Sequence, residues 1–323
     1  MKKASILILM SIIAILSSCE NTIEPLSNEA NKLVNEFVYD GMSLYYFWES
    51  EMTGKKPGTQ NSMQYFDGLL NSTDKQHGWS FITDDAKALQ AQFGGNPVDF
   101  GYELAFGYVD STKTSVFAVV EFVYPNSPAA NAGLQRCDVI TKIGGTTLNL
   151  SNYMLLLGRD AITITYYKSD PSQNFTASLA PATIETNPVL YTNIYEYNGH
   201  KIGYIFYTSF IANFNTALYQ KFSEFKQAGI TDLVVDLRYN RGGSISAAVY
   251  LASLIAPRNV VENQSVYTSL NFNDYLNNYY GSKRSYQLGT YETRFQNPLT
   301  ANLNLNKVYI IATEGSYSAS ELT

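Results

Sequence analysis

The sequence predicts a mixed α/β chain in three parts: a small helical segment, a β-rich segment, and a closing layer of alternating strands and helices. Three observations carry this. Before residue 97 apolar residues recur at helical spacing, and Gly94-Gly95-Asn96-Pro97 closes that stretch as a turn cluster. From about 100 to 182 the runs are β-branched and alternate, as in Ile162-Thr163-Ile164-Thr165-Tyr166-Tyr167. After 186 short apolar runs alternate with an amphipathic helix, the pattern of a βαβ layer with right-handed crossovers. The length, 323 residues, suits two or three domains rather than one core.

Composition narrows the function. Hydrophobic residues make up 45%, enough to bury real cores, and 26 Tyr and 17 Phe argue against disorder. A net charge of -6 argues against nucleic acid as partner, since phosphate binding needs a basic face. Two Cys make no disulfide framework, and two His argue against a multi-histidine metal site. No metal or cofactor is expected.

The helical segment begins after a polar tether, residues 19–30. Asn31 to Met52 reads as helix, with Leu33, Phe37 and Val38 recurring and an aromatic cluster from Leu44 to Trp48. Met63 to Leu70 and Asp84 to Phe93 read as two more short helices. In the β-rich segment Val116 to Val120 is a strand. Ser127-Pro128 opens a short helix as N-cap and first turn, Gly133 ends it, and Cys137 to Gly145 is a strand running into a turn. Cys137 is expected to be a small buried thiol.

In the last segment Lys201 to Tyr207 is a strand. Phe214, Leu218, Phe222 and Phe225 mark one face of a helix that Gly229 caps. Leu233 to Leu237 and Val308 to Ala312 read as buried strands of a parallel sheet, with the helix Ile245–Ile255 between them. Residues 258–304, rich in Asn and Tyr, read as an insertion with little regular structure.

The N-terminus reads as a secretory signal. Met1-Lys2-Lys3 precedes an apolar run from Ile6 to Leu16, too short for a bilayer at ~20 residues per crossing. Leu16-Ser17-Ser18-Cys19 resembles the bacterial lipobox, which implies cleavage after residue 18, lipidation of Cys19, and an envelope protein anchored at the periplasmic or outer face. Losing Lys2 and Lys3 leaves the mature chain more acidic, so the anchor is lipid rather than a polybasic patch.

Two segments carry chemistry. In Asp236-Leu237-Arg238-Tyr239-Asn240-Arg241-Gly242-Gly243, two glycines at a strand-to-helix turn let backbone N–H groups face a cleft, which suits a developing oxyanion or simply a tight turn. Glu314-Gly315-Ser316-Tyr317-Ser318-Ala319-Ser320-Glu321 follows a strand, where α/β enzymes place chemistry. Its plain reading is a capping box from Ser318 to Glu321.

The stretch S-P-A-x-x-A-G-L-x-x-x-D-x-I-x-x-I-x-G, from Ser127 to Gly145, resembles a bacterial PDZ domain, with Cys137 where such domains carry Gly. Gly101, Tyr102, Glu103 and Leu104 then fall in the loop that offers backbone donors to a peptide C-terminus. Together, D-L-R-x-N-x-G-G and G-S-x-S-A-S-E resemble peptidase family S41, the C-terminal (tail-specific) processing proteases, and the aromatic helix resembles Bacteroidetes lipoprotein members. The resemblance implies a crotonase/ClpP-like α/β core and this order: signal 1–18, tether 19–30, helical domain 31–97, PDZ domain 98–185, core 186–323.

It also implies a Ser/Lys dyad. The nucleophile falls on Ser318, with Ser316 and Ser320 left to capping or packing. The oxyanion hole falls on Gly242 or Gly243 and on Ala319. The family lysine has no counterpart in residues 1–323, so the chain reads as truncated, incomplete as a core, and inactive by itself. His77 is the rival base, by analogy with tricorn-type members, although a structural role beside Trp79 is expected. Lys307 is expected to face solvent. Substrates would be proteins or peptides with free C-termini. The rival function is a non-catalytic peptide-binding lipoprotein.

Overall fold

The computed structural model describes residues 26–52, 54–280 and 284–322. The signal segment and Cys19 lie outside the described residues. The chain divides into two units: residues up to Ile82 with Phe272–Gly281, and Thr83–Asn271 with Ser282–Thr323. Among the described residues no helix is long and apolar enough to cross a membrane.

In the first unit Ser27 caps α1 (Asn28–Tyr45) by accepting the Ala30 N–H at 3.2 Å. Asn61 and Asn71 likewise cap α2 (Ser62–Leu69) and α3 (Ser72–His77). The core gathers Met42, Tyr46, Met52, Tyr65 and Leu69. The buried face of α1 is not the one that Leu33 and Phe37 suggest, since both are exposed. Asn35 is buried instead, donating to the Gly58 and Gln60 carbonyls at 2.8 and 2.9 Å. That bonding turns α1 toward the 58–60 loop. The helix Asp274–Tyr280 joins this unit: Asn273 donates to the carbonyls of Leu44 and Tyr46, both at 3.0 Å.

The second unit holds two cores. Helix α4 (Ala86–Gly94) leads into an antiparallel sheet of β1 (Tyr102–Tyr108), β2 (Val116–Val123), β3 (Val139–Ile143), β4 (Ile162–Tyr167) and β5 (Asn174–Leu179), in that spatial order. Strict alternation along β2 buries Val116, Ala118, Val120 and Phe122, as a half-buried strand requires. Strand β1 stands at the edge. The short helix α5 (Pro128–Asn131) has Ser127 as its cap, accepting from Ala130 at 3.2 Å.

The other core is the α/β layer, with sheet order β9 (Tyr309–Ile311), β8 (Asp232–Asp236), β7 (His200–Tyr207), β6 (Val189–Tyr197). The pairs β7–β8 and β8–β9 are parallel. Between β7 and β8 lies α6 (Asn215–Ala228), whose Leu218, Phe222 and Phe225 are buried at roughly 2 kcal/mol each or more. Gly229 ends it in the left-handed conformation. Helix α7 (Ile245–Ile255) follows β8 and is buried along most of its length.

Four expectations are corrected. Strand β6 is absent from the sequence reading, although its hairpin to β7 turns at Asn198-Gly199, both at positive φ as such two-residue turns demand. Residues 258–304 are regular: a hairpin, Val266–Leu270 with Arg284–Gln287, and three short helices. Strand β9 is exposed, not buried, because it pairs at the sheet edge with β8 alone. Cys137 is exposed with φ +73°, so the turn keeps the glycine conformation without the glycine.

Candidate active site

Parallel strands β7, β8 and β9 end together, since Asp236 lies in register with Phe206 on one side and Ile311 on the other. Both predicted motifs leave the sheet from this edge. The glycine turn starts at buried Asp236. Arg238 folds back on it with Nη2 2.6 Å from Oδ2 and Nε 3.0 Å from Oδ1. The Tyr204 hydroxyl donates to Oδ2 at 2.5 Å. Burial pushes the carboxyl up, but the Arg238 and Tyr204 bonds outweigh it and hold Asp236 below the usual carboxylate range.

Asn240 is the hub of the turn and is fully buried. Its Nδ2 donates to the Tyr207 carbonyl at 2.9 Å. Its Oδ1 accepts the Gly242 N–H at 2.8 Å and the Ser320 hydroxyl at 2.7 Å. Its own carbonyl accepts from Ser320 at 2.8 Å and from the Tyr317 N–H at 3.3 Å. One side chain thus joins the glycine turn, the serine turn and β7. The sequence reading gave Asn240 no role, although an Asn two residues before a glycine is an Asx-turn signal.

The three serines separate by what their hydroxyls do. Ser316 Oγ donates to the Leu237 carbonyl at 2.5 Å. Ser320, buried, is bound to Asn240. Ser318 is exposed, sits at φ +60°, and carries no hydrogen bond on its hydroxyl among the described residues. Its N–H is taken by Glu321 Oε2 at 3.0 Å, which is half of the expected capping box. A left-handed non-glycine residue costs about 1–3 kcal/mol, and such strain clusters at working sites.

The two motifs meet at Gly242 and Ser318. Gly242 has φ +97°, and a carbon placed on it would lie 2.5 Å from Ser318 Cβ and 2.9 Å from the Ala319 nitrogen. Gly243 has φ +134° and is pressed against the backbone of Phe210, where a side chain would overlap the carbonyl. Of the two expected donors, the Gly242 N–H is consumed by Asn240. The N–H groups of Gly243 and Ala319 have no acceptor among the described residues.

Gly101 immediately precedes β1, and Tyr102, Glu103 and Leu104 open it. A cleft of about 560 Å³ runs from Tyr102 and Glu103 to Tyr239 and Arg241 of the glycine turn. Arg241 pairs with Glu103 at 3.4 Å, and Arg136 donates to the Tyr239 hydroxyl at 2.9 Å. Burial raises the Glu103 carboxyl, against the pull of Arg241. The expected donor at Gly101 is already occupied, however: its N–H is bonded to Asp99 Oδ1 at 2.6 Å.

Within the second unit Lys307 makes no bond to Ser318 among the described residues. His77 belongs to the first unit, exposed and stacked on Trp79 with ring centroids 4.5 Å apart. Lys307 is exposed, as expected. Tyr309 beside it raises its pKa, the reverse of what a neutral amine base needs.

At these strand ends a serine hydroxyl without a partner among the described residues lies beside positive-φ glycines, and the comparisons find the same motifs' surroundings similar to serine peptidases. The Peptidase family S41 model matches residues 201–323, and the Peptidase S41 N-terminal domain model matches 34–81. Two stretches of the chain, 201–323 and 34–81, are thus similar to peptidase family S41. It is 32% identical over 138 residues to the carboxyl-terminal-processing protease of Picosynechococcus sp., covering 40% of this chain and 33% of that protein. It is 29% identical over 150 residues to the chloroplastic C-terminal processing peptidase of Tetradesmus obliquus, covering 42% and 32%. The chain therefore spans about a third of the length of these curated relatives. A crystal structure described as an S41 protease from Bacteroides fragilis superposes with TM-score 0.66 at 24% identity, over 88% of this chain and 73% of that one, and shows the shared fold.

Proposed function

We propose that this chain is the nucleophile-bearing part of a cell-envelope serine endopeptidase of the C-terminal processing type. One observation carries the reading: Gly242 packs against Ser318, and of the three serines only Ser318 has an unengaged hydroxyl. Ser318 Oγ attacks the peptide carbonyl, and its proton passes to a lysine that we place beyond Thr323. The Gly243 and Ala319 N–H groups hold the oxyanion. The amine leaves with the lysine's proton, and water then releases the acyl group from Ser318.

The β1–β5 domain is read as a PDZ-type module. Polypeptide adds as a strand to the open edge of β1, near the cleft that reaches Tyr239 and Arg241. Lipidation at Cys19 would hold the protein at the membrane surface. The second reading, a peptide-binding lipoprotein without turnover, draws on the lack of a base on Ser318 among the described residues.

Hydrolysis of denatured casein discriminates the two. Residues 1–323 alone should give no turnover, and the same chain extended through a lysine-bearing S41 segment should give turnover. Robust cleavage by 1–323 that Ser318→Ala abolishes would refute the lysine assignment. No cleavage by either form would favour the binding protein.

A further inference from the structure

The loop that opens β1 already holds a carboxylate. Asp99 Oδ1 accepts the Gly101 N–H at 2.6 Å; burial pushes its carboxyl up, against the pull of the Gly101 and Phe100 N–H groups. The placement is built in rather than a chance rotamer. The Asp99 backbone is pinned by a two-residue antiparallel pair, Val98 with Thr183 and Asp99 with Ala182, and Ile184 donates to the Pro97 carbonyl at 3.0 Å. The receiving loop is equally fixed. Gly101 has φ +83°, and a side chain there would overlap Ser127 beneath it.

Strand β1 is the sheet edge that this carboxylate precedes, so it sits where an added peptide strand would end. We infer that Asp99 is a specificity-determining residue: it stands in for a peptide's terminal carboxylate, so that β1 accepts a chain segment without preferring a free C-terminus. The inference rests on the strand-docking reading of β1 given above. The surrounding charge agrees with it. The two arginines facing the cleft are already paired, Arg159 with Asp85 at 2.5 Å and Arg241 with Glu103 at 3.4 Å. A second carboxylate entering beside Asp99 would meet that carboxyl at close range, with Asp85 and Glu103 compensated by their arginines and Lys87 the remaining cation on the cleft wall.

The test is fluorescence anisotropy on the whole chain with a fluorescein-labelled Ala-Ala-Leu-Ala-Val peptide, made as free acid and as amide. Wild type should bind the two forms within about twofold of each other. Asp99→Ala frees the Gly101 N–H and removes the charge. It should tighten the acid form by roughly tenfold, the worth of one charge-assisted hydrogen bond, and leave the amide unchanged. Asp99→Asn keeps an acceptor for Gly101 and removes only the repulsion, so its gain should be smaller but in the same direction. A wild-type preference for the acid of tenfold or more would overturn the inference while leaving strand docking intact, and that comparison needs no variant. Equal acid and amide binding by Asp99→Ala, with its melting transition preserved, would also overturn it. Failure of either peptide form to bind any variant would defeat strand docking itself, and this inference with it.

Discussion

A carbon on Gly242 would lie 2.5 Å from the Cβ of Ser318, so the glycine turn and the serine turn occupy one another's side-chain space. The contact joins positions 76 residues apart in the chain. It requires glycine on both counts, space and a φ of +97°. Gly242→Ala should therefore abolish turnover of the extended chain, because any shift that relieves the overlap displaces Ser318 or the Ala319 N–H. Kinetics on denatured casein checks this, and retention of more than a tenth of wild-type kcat/KM would show that the contact is dispensable.

Asn240→Ala should be among the most destabilising single changes in the α/β layer. It leaves the Gly242 N–H and the Tyr207 carbonyl without partners and removes an acceptor from Ser320. A loss of about 2–4 kcal/mol in urea unfolding is expected. A loss below about 1 kcal/mol would mean that backbone contacts alone hold the turn.

The ion pair at the start of the turn makes stability depend on pH. Asp236 has its carboxyl held below the usual range in the folded chain. Its contribution is present above the unfolded carboxylate pKa and is lost as pH falls through the depressed folded value. Asp236→Asn should cost about 3 kcal/mol near neutrality, by breaking the pairing with Arg238 and leaving that cation without its counter-charge. The gap between wild type and variant should close in acid. Urea melts at several pH values test this, and a gap that widens as pH falls would contradict the sign.

Cys137→Gly should stabilise the β-domain by about 1 kcal/mol. Cys137 is held at φ +73°, a conformation that glycine adopts without strain, and its thiol is exposed, so no packing is lost. Lower stability for the variant would show that the thiol makes a contact that matters.

The helices and parallel strands of the core were legible because their patterns are local. Leu218, Phe222 and Phe225 recur at helical spacing, Gly229 caps the helix, and Ile245–Ile255 was read to its observed limits. Strand β6 was missed because Tyr, Thr, Asn and Glu interrupt its Val, Leu and Ile and none of its residues is fully buried, which gives no apolar run to read. The face of α1 was misjudged because a buried Asn35, bonded to a loop 23 residues on, overrides the apolar count. At the site, the two glycines at a strand-to-helix turn suggested Gly242 and Gly243, while Ser318 and Ala319 came from the resemblance to family S41. The division of labour was not legible. Which serine keeps a free hydroxyl depends on the long-range bonds of Ser316 to Leu237 and of Ser320 to Asn240, whereas the Gly242 N–H is taken by the local bond to Asn240. The Asp99 contact was a further omission, since an Asp two residues before a glycine reads equally as an ordinary turn.

The flanking serines give the most direct comparison. Ser320→Ala removes bonds to Asn240 and should cost about 1–2 kcal/mol of stability, while Ser316→Ala, which loses the bond to the Leu237 carbonyl, should cost about 1 kcal/mol. Neither should remove turnover from the extended chain. Ser318→Ala should leave stability near wild type and abolish turnover.

The measurement closest to the central claim is the site of covalent labelling by a fluorophosphonate on the extended chain, read by fragmenting the peptide that spans residues 308–323. The account predicts the label on Ser318, with no label on that peptide in Ser318→Ala. A label on Ser316 or Ser320 in the wild-type chain, or labelling that persists in Ser318→Ala, would contradict it.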